Sequence, residues 1–159
     1  MKRWITGLLA LTMTAVLATS TAFAAEINQD TGAQSADTTI SINIAPAYTV
    51  TIPEDVSVIF NETSTDFGKI ELTDAKINPG YAVQVDLKSS GALKNAEDST
   101  KTIEYVVNSE AGVFTAAQYD AAGESTALTI DITEEAWNTA HAGQYSDTVT
   151  FTVSYVKVQ

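Results

Sequence analysis

The stretch that most constrains the fold lies near the end of the chain. From Thr148 to Tyr155, Val149, Phe151, Val153 and Tyr155 alternate with Thr148, Thr150, Thr152 and Ser154. Strand side chains repeat every two residues, so this run has one apolar face for a core and one hydroxyl-lined face for water. β-Branched and aromatic side chains fill most of its positions and suit a pleated, half-buried surface. Gly143 just ahead supplies a turn into it.

The same alternation recurs upstream. Ile40, Ile42 and Ile44 predict a first short strand, interrupted at Pro46, which lacks a ladder donor. Tyr48, Val50 and Ile52 resume the pattern up to Pro53, and Val56, Val58 and Phe60 predict a further strand. Phe67 to Leu72 reads as a strand with a bulge at Gly68. The Asn78-Pro79-Gly80 turn leads into Tyr81, Val83, Val85 and Leu87. Lys88 to Lys101 reads as a polar loop, followed by strands over Ile103 to Val107, Val113 to Tyr119 and Leu128 to Ile132. Thr133 is placed to cap one helical turn through Asn138, with Glu134 and Glu135 at the positive end of its dipole. Short alternating runs separated by Gly, Pro and Asn turns define the expected class: all-β, an antiparallel β-sandwich with an Ig-like or jelly-roll-like strand order.

The first 24 residues read as a secretory signal peptide. Lys2 and Arg3 precede an apolar stretch, and Ala22-Phe23-Ala24 is a small-x-small cleavage site. Residues 25–37 read as a polar flexible leader and 38–159 as the sandwich domain. The expected location is therefore extracellular, at the cell surface, with no transmembrane anchor and no sortase-type signal at the end. No cysteine is present, so neither a disulfide nor a thiol nucleophile is available. About 135 mature residues are enough to bury a core without staples.

Losing Lys2 and Arg3 with the signal moves the formal charge from −12 to about −14 and leaves only lysines as cations. Such a surface repels phosphate backbones, which argues against nucleic-acid partners.

Catalytic patterns are weak. His141 is the single histidine; it has no second His or Cys to share a transition metal, and no Gly-x-Ser-x-Gly elbow accompanies it. The adjacent acid pairs Glu54-Asp55, Glu97-Asp98 and Glu134-Glu135 sit in polar contexts and read as solvated loop or cap charges. The chain is expected not to be an enzyme and to need no cofactor. Calcium is the one cation its oxygen-rich loops would suit, through Asp120 with Glu124 or Glu97 with Asp98, although no Asp-x-Asp-x-Asp-Gly loop exists.

Two binding readings remain. Flat exposed rings stack on sugars, so Trp137, the sole tryptophan after the signal, and Tyr145 and Tyr119, which are freer of the core pattern than Tyr81, Tyr105 and Tyr155, are candidate ligand-binding residues for a glycan. Trp137 stands on the short connector, where it also reads as a lid over the end of the core. Ile40, Ile42 and Ile44 form an alternating segment on a flexible arm, able to pair with its own sheet or with the edge of a neighbouring copy, as in fibre-building strand exchange.

The ending Ala142-Gly143-Gln144-Tyr145 through Val153, together with Tyr48-Thr49-Val50-Thr51-Ile52-Pro53, resembles secreted bacterial surface β-sandwich proteins. The similarity is to WxL-type cell-wall-associated proteins and to fimbrial, spore-coat-U-like subunits. Phe151-Thr152-Val153 stands where the first group has Trp-x-Leu, and the cysteines usual in the second are absent. The resemblance implies a surface or fibre component whose partners are wall components, other surface proteins or itself.

Overall fold

The computed structural model describes Ser35 and residues 37–158. The expected signal peptide, and the leader apart from Ser35 and Asp37, lie outside the described residues. Two units divide the chain, Met1–Ile42 and Asn43–Gln159. In the first, the described residues adopt neither helix nor strand.

The second unit carries eleven strands and one short helix: β1 (Ala47–Thr51), β2 (Ser64–Lys76), β3 (Tyr81–Lys88), β4 (Ala92–Asn95), β5 (Thr102–Glu104), β6 (Val106–Ser109), β7 (Gly112–Val113), β8 (Ala116–Tyr119), β9 (Ser125–Asp131), α1 (Glu134–Thr139), β10 (Tyr145–Ser146) and β11 (Thr150–Lys157). Every pairing between them is antiparallel. The protein is an all-β sandwich, as the alternating runs predict.

One layer is the sheet β1-β2-β9-β6-β7. The other contains β11-β3-β8 and β10-β4-β5. These two triplets follow one another along the same ribbon. Lys88 faces Thr150 and Lys94 faces Ser146, so six residue steps on one side match four on the other. The surplus is taken up around Ser89-Ser90-Gly91, with Gly91 at φ 72°, a value that favours glycine. Apolar faces of both layers meet in one core, with Ile70, Leu72, Leu128 and Ile130 from the first and Val83, Val85 and Ile103 from the second.

Two segments change layers, and each turns on a buried aromatic residue. β5 pairs with β4 while β6 pairs with β9, so the chain crosses at Tyr105. β7 pairs with β6 while β8 pairs with β3, so it crosses back at Phe114. Strands that switch sheets make the corners of a sandwich. The expected continuous strands over Ile103–Val107 and Val113–Tyr119 are therefore each divided, and the expected loop Lys88–Lys101 contains β4. The polar flanks conceal β4, whose ladder is completed by β5 across a short connection and by the distant β10.

The bulge at Gly68 is present. Register slips between Asp66 and Gly68, Gly68 sits at φ 95°, and its N–H donates to the Asp66 carboxylate at 2.8 Å. That extra residue explains why Phe67 and Ile70, three apart, are both buried. Thr133 caps α1, its Oγ1 accepting from the Ala136 N–H at 3.2 Å.

Three further expectations change. No strand forms over Ile40, Ile42 and Ile44; alternation specifies a face but not a neighbour to complete the ladder. Val56 to Phe60 is likewise irregular. β11 is less buried than its pattern suggests, with Val153 37% exposed, because it is the edge of its triplet, with β3 on one side only among the described residues.

Candidate binding groove

Where β10 hands over to β11, the backbone leaves one triplet and enters the next, and Asp147 sits in the gap. Its carboxylate accepts a hydrogen bond from the Tyr105 hydroxyl at 2.6 Å and another from the Ser90 N–H at 3.3 Å. The Tyr105 N–H donates in turn to the Gly91 carbonyl at 2.9 Å. The irregular points of three strands are thus fastened together. Burial pushes the Asp147 carboxyl up, but the hydrogen bonds from Tyr105 and Ser90 outweigh it and hold it below the ordinary carboxylate range. Burial first, then the bond to Asp147, pushes the Tyr105 hydroxyl up to about 12.

Around this knot lies an open groove of two adjoining hollows, about 560 and 680 Å³. Residues 52–60 form one wall of both. Thr148, Val149 and Phe151 face them in the first hollow, over a floor that includes Phe67, Tyr105 and Ile130. Trp137, Tyr145 and His141 face them in the second, with Leu93 and Ile103 beside. Polar and apolar atoms line the groove in comparable measure; among the described residues its charged members are Glu54, Asp55 and Asp147, and no lysine lines it.

Of the three expected ligand aromatics, the structure brings Trp137 and Tyr145 to the same hollow and separates Tyr119 from them. Tyr119 is a correction: it is 4% exposed, lies opposite Val83 in the β3–β8 ladder, and its hydroxyl donates to Thr126 Oγ1 at 2.8 Å. Its ring is part of the core and presents no face to a ligand. Trp137 is half-buried. Its indole N–H donates to the Glu62 carbonyl at 2.9 Å, and its ring meets Phe60 edge-on at 5.6 Å. The Tyr145 hydroxyl donates to the His141 carbonyl at 3.0 Å. Ile40, Ile42 and Ile44 are 95%, 86% and 61% exposed.

Two of the four acids expected to suit calcium, Glu124 and Asp98, hold local hydrogen bonds. Glu124 caps its own turn by accepting from the Asp120 and Ala121 N–H groups. Asp98 accepts from the backbone and hydroxyl of Thr100, which, hydroxyl first, lowers its pKa. Among the described residues, no three His, Asp or Glu side chains gather as a metal site would require. No helix among them is long and apolar enough to cross a membrane.

Asp147 and the wall of residues 52–60 were not singled out from the sequence as site residues. The signals in that wall are the alternating Val56-Val58-Phe60 run, which reads as a strand, the end of the Tyr48-Val50-Ile52 run, and the Glu54-Asp55 pair, which reads as solvated charge.

No protein family matches the chain, and no curated protein does. Among solved structures it is similar to a chain from a study titled "Chaperone-tip adhesin complex is vital for synergistic activation of CFA/I fimbriae biogenesis". The TM-score is 0.48 and the identity 14%, over 67% of this chain and 42% of that one, less than half its length.

Proposed function

We propose that the protein is a non-catalytic structural or adhesive component of a bacterial cell surface, which self-associates by seating residues 38–45 of one copy in the groove of the next. One observation carries this reading: three isoleucines on alternate positions stand in water, in a chain whose groove holds apolar side chains such as Phe67, Ile130 and Phe151 and whose β11 has one unpaired edge among the described residues. Burying an isoleucine contributes roughly 1.5–3 kcal/mol, so three leave a large driving force unspent in the single copy. An extended segment added to a sheet edge gains main-chain hydrogen bonds as well as side-chain pockets.

The test is light scattering of the mature protein with and without residues 25–45. Concentration-dependent assembly that requires the arm supports the reading, and a strict monomer in both cases rejects it.

A glycan-binding role is the second reading, favoured by the shared position of Trp137 and Tyr145 in one hollow. Retention on insoluble glycans that is lost in Trp137→Ala would support it; no retention, or retention unchanged by the substitution, counts against it.

A further inference from the structure

We propose that residues 54–61 are a displaceable strap over the groove, and that an incoming arm seats by lifting this strap off the core; this rests on the self-association reading above. The strap is held at its ends. At one, Pro53 lies against Gly68, its Cβ in van der Waals range (3.6 Å) of where a Cβ on that glycine would stand. At the other, the Glu62 carbonyl receives the Trp137 indole N–H and Phe60 abuts the Trp137 ring.

Between these anchors the strap has no ladder partner among the described residues. Its one backbone hydrogen bond there runs from the Glu62 N–H to the Ile59 carbonyl at 3.0 Å and only closes a turn, beside Asn61 at φ 67°. Ile59 and Phe60 are 68% and 70% exposed, while Val58 is half-buried against the core. A segment with few buried contacts and no ladder opens at low free-energy cost.

Glu54 and Asp55 of the strap are exposed and line the first hollow together with Asp147. The arm Thr39-Ile40-Ser41-Ile42-Asn43-Ile44 carries the same alternation as Val56-Ser57-Val58 and no charge at all. The two segments compete for one seat, and the arm brings three isoleucines where the strap brings two valines.

The experiment uses the full mature chain with its own arm disabled by Ile42→Asp, and a synthetic peptide of residues 38–46 as probe. Hydrogen exchange is followed separately over 54–61 and 147–151. The strap predicts that saturating peptide slows exchange over 147–151 and speeds it over 54–61 by about tenfold. It also predicts that Val58→Ser, which weakens the strap's hold on the core, tightens peptide binding. Peptide binding that leaves 54–61 unchanged or more protected overturns the strap while self-association stands. Binding weakened by Val58→Ser, with no faster exchange over 54–61, does the same. A peptide that does not bind at all overturns both.

Discussion

The Tyr105 hydroxyl donates to the Asp147 carboxylate at 2.6 Å, and the two residues mark the points where separate strands change direction between triplets or layers. This bond ties the β5–β6 crossing to the β10–β11 handover. Tyr105→Phe keeps the ring and removes the donor, leaving a partly desolvated carboxylate short of a partner. A loss of about 1–3 kcal/mol is expected in urea unfolding.

The same pair gives a pH signature. The Tyr105 pKa is raised in the folded state, so its contribution is fully present below about 10, the unfolded value, and declines as pH rises toward about 12. Asp147 is depressed, so its contribution is present above the unfolded carboxylate value and fades as pH falls through the folded one. Stability measured against pH should lose part of its alkaline decline in Tyr105→Phe. Tyr119, also raised by burial, accounts for part of what persists. An alkaline limb identical to the unmodified protein's would show that Tyr105 is not its source.

Gly143 sits at φ 145°, and a Cβ there would collide with the Asn95 side chain. Asn95 is buried and has little room to retreat, since its Oδ1 accepts from the Glu97 and Asp98 N–H groups. Gly143→Ala should therefore cost about 2–3 kcal/mol through strain and overpacking. A change below ~0.5 kcal/mol in thermal or urea unfolding would contradict the close approach.

Burial separates the two apolar patterns that look alike in sequence. Leu72 is fully buried between the layers, and Leu72→Ala should cost about 2–5 kcal/mol. Val153 is on the edge strand and partly exposed, so Val153→Ala should cost about 1 kcal/mol or less. Equal losses would mean that β11 is covered in solution.

Ile42→Asp should leave the melting temperature of the dilute protein unchanged, because Ile42 touches little in the single copy. The same change should abolish arm-dependent assembly in light scattering, since a carboxylate cannot enter an apolar seat lined by acids. Loss of thermal stability at low concentration would place Ile42 in the fold of its own chain instead.

Much of the architecture was legible from the residues. Period-two alternation located β3, β9 and β11, and the Phe67-Gly68-Lys69-Ile70 break in period located the bulge. Thr133 ahead of two glutamates located α1. Trp137 stands out as the sole tryptophan after the signal and Tyr145 as an aromatic outside the alternating runs; both line the second hollow. Tyr119 was misassigned since its partner Thr126 and its neighbour Val83 lie across the fold, where local pattern carries no information.

The sequence alone determined the class of fold and which faces are apolar, for side-chain period is a property of the local chain. Tertiary structure decided which runs acquire a ladder. Among the described residues Val56–Phe60 and Ile40–Ile44 carry strand patterns yet remain unpaired, whereas the short Ala92–Asn95, set in a polar stretch, is paired on both sides. A strand exists only when a second backbone supplies its hydrogen bonds, and that partner is chosen by packing across the whole sandwich.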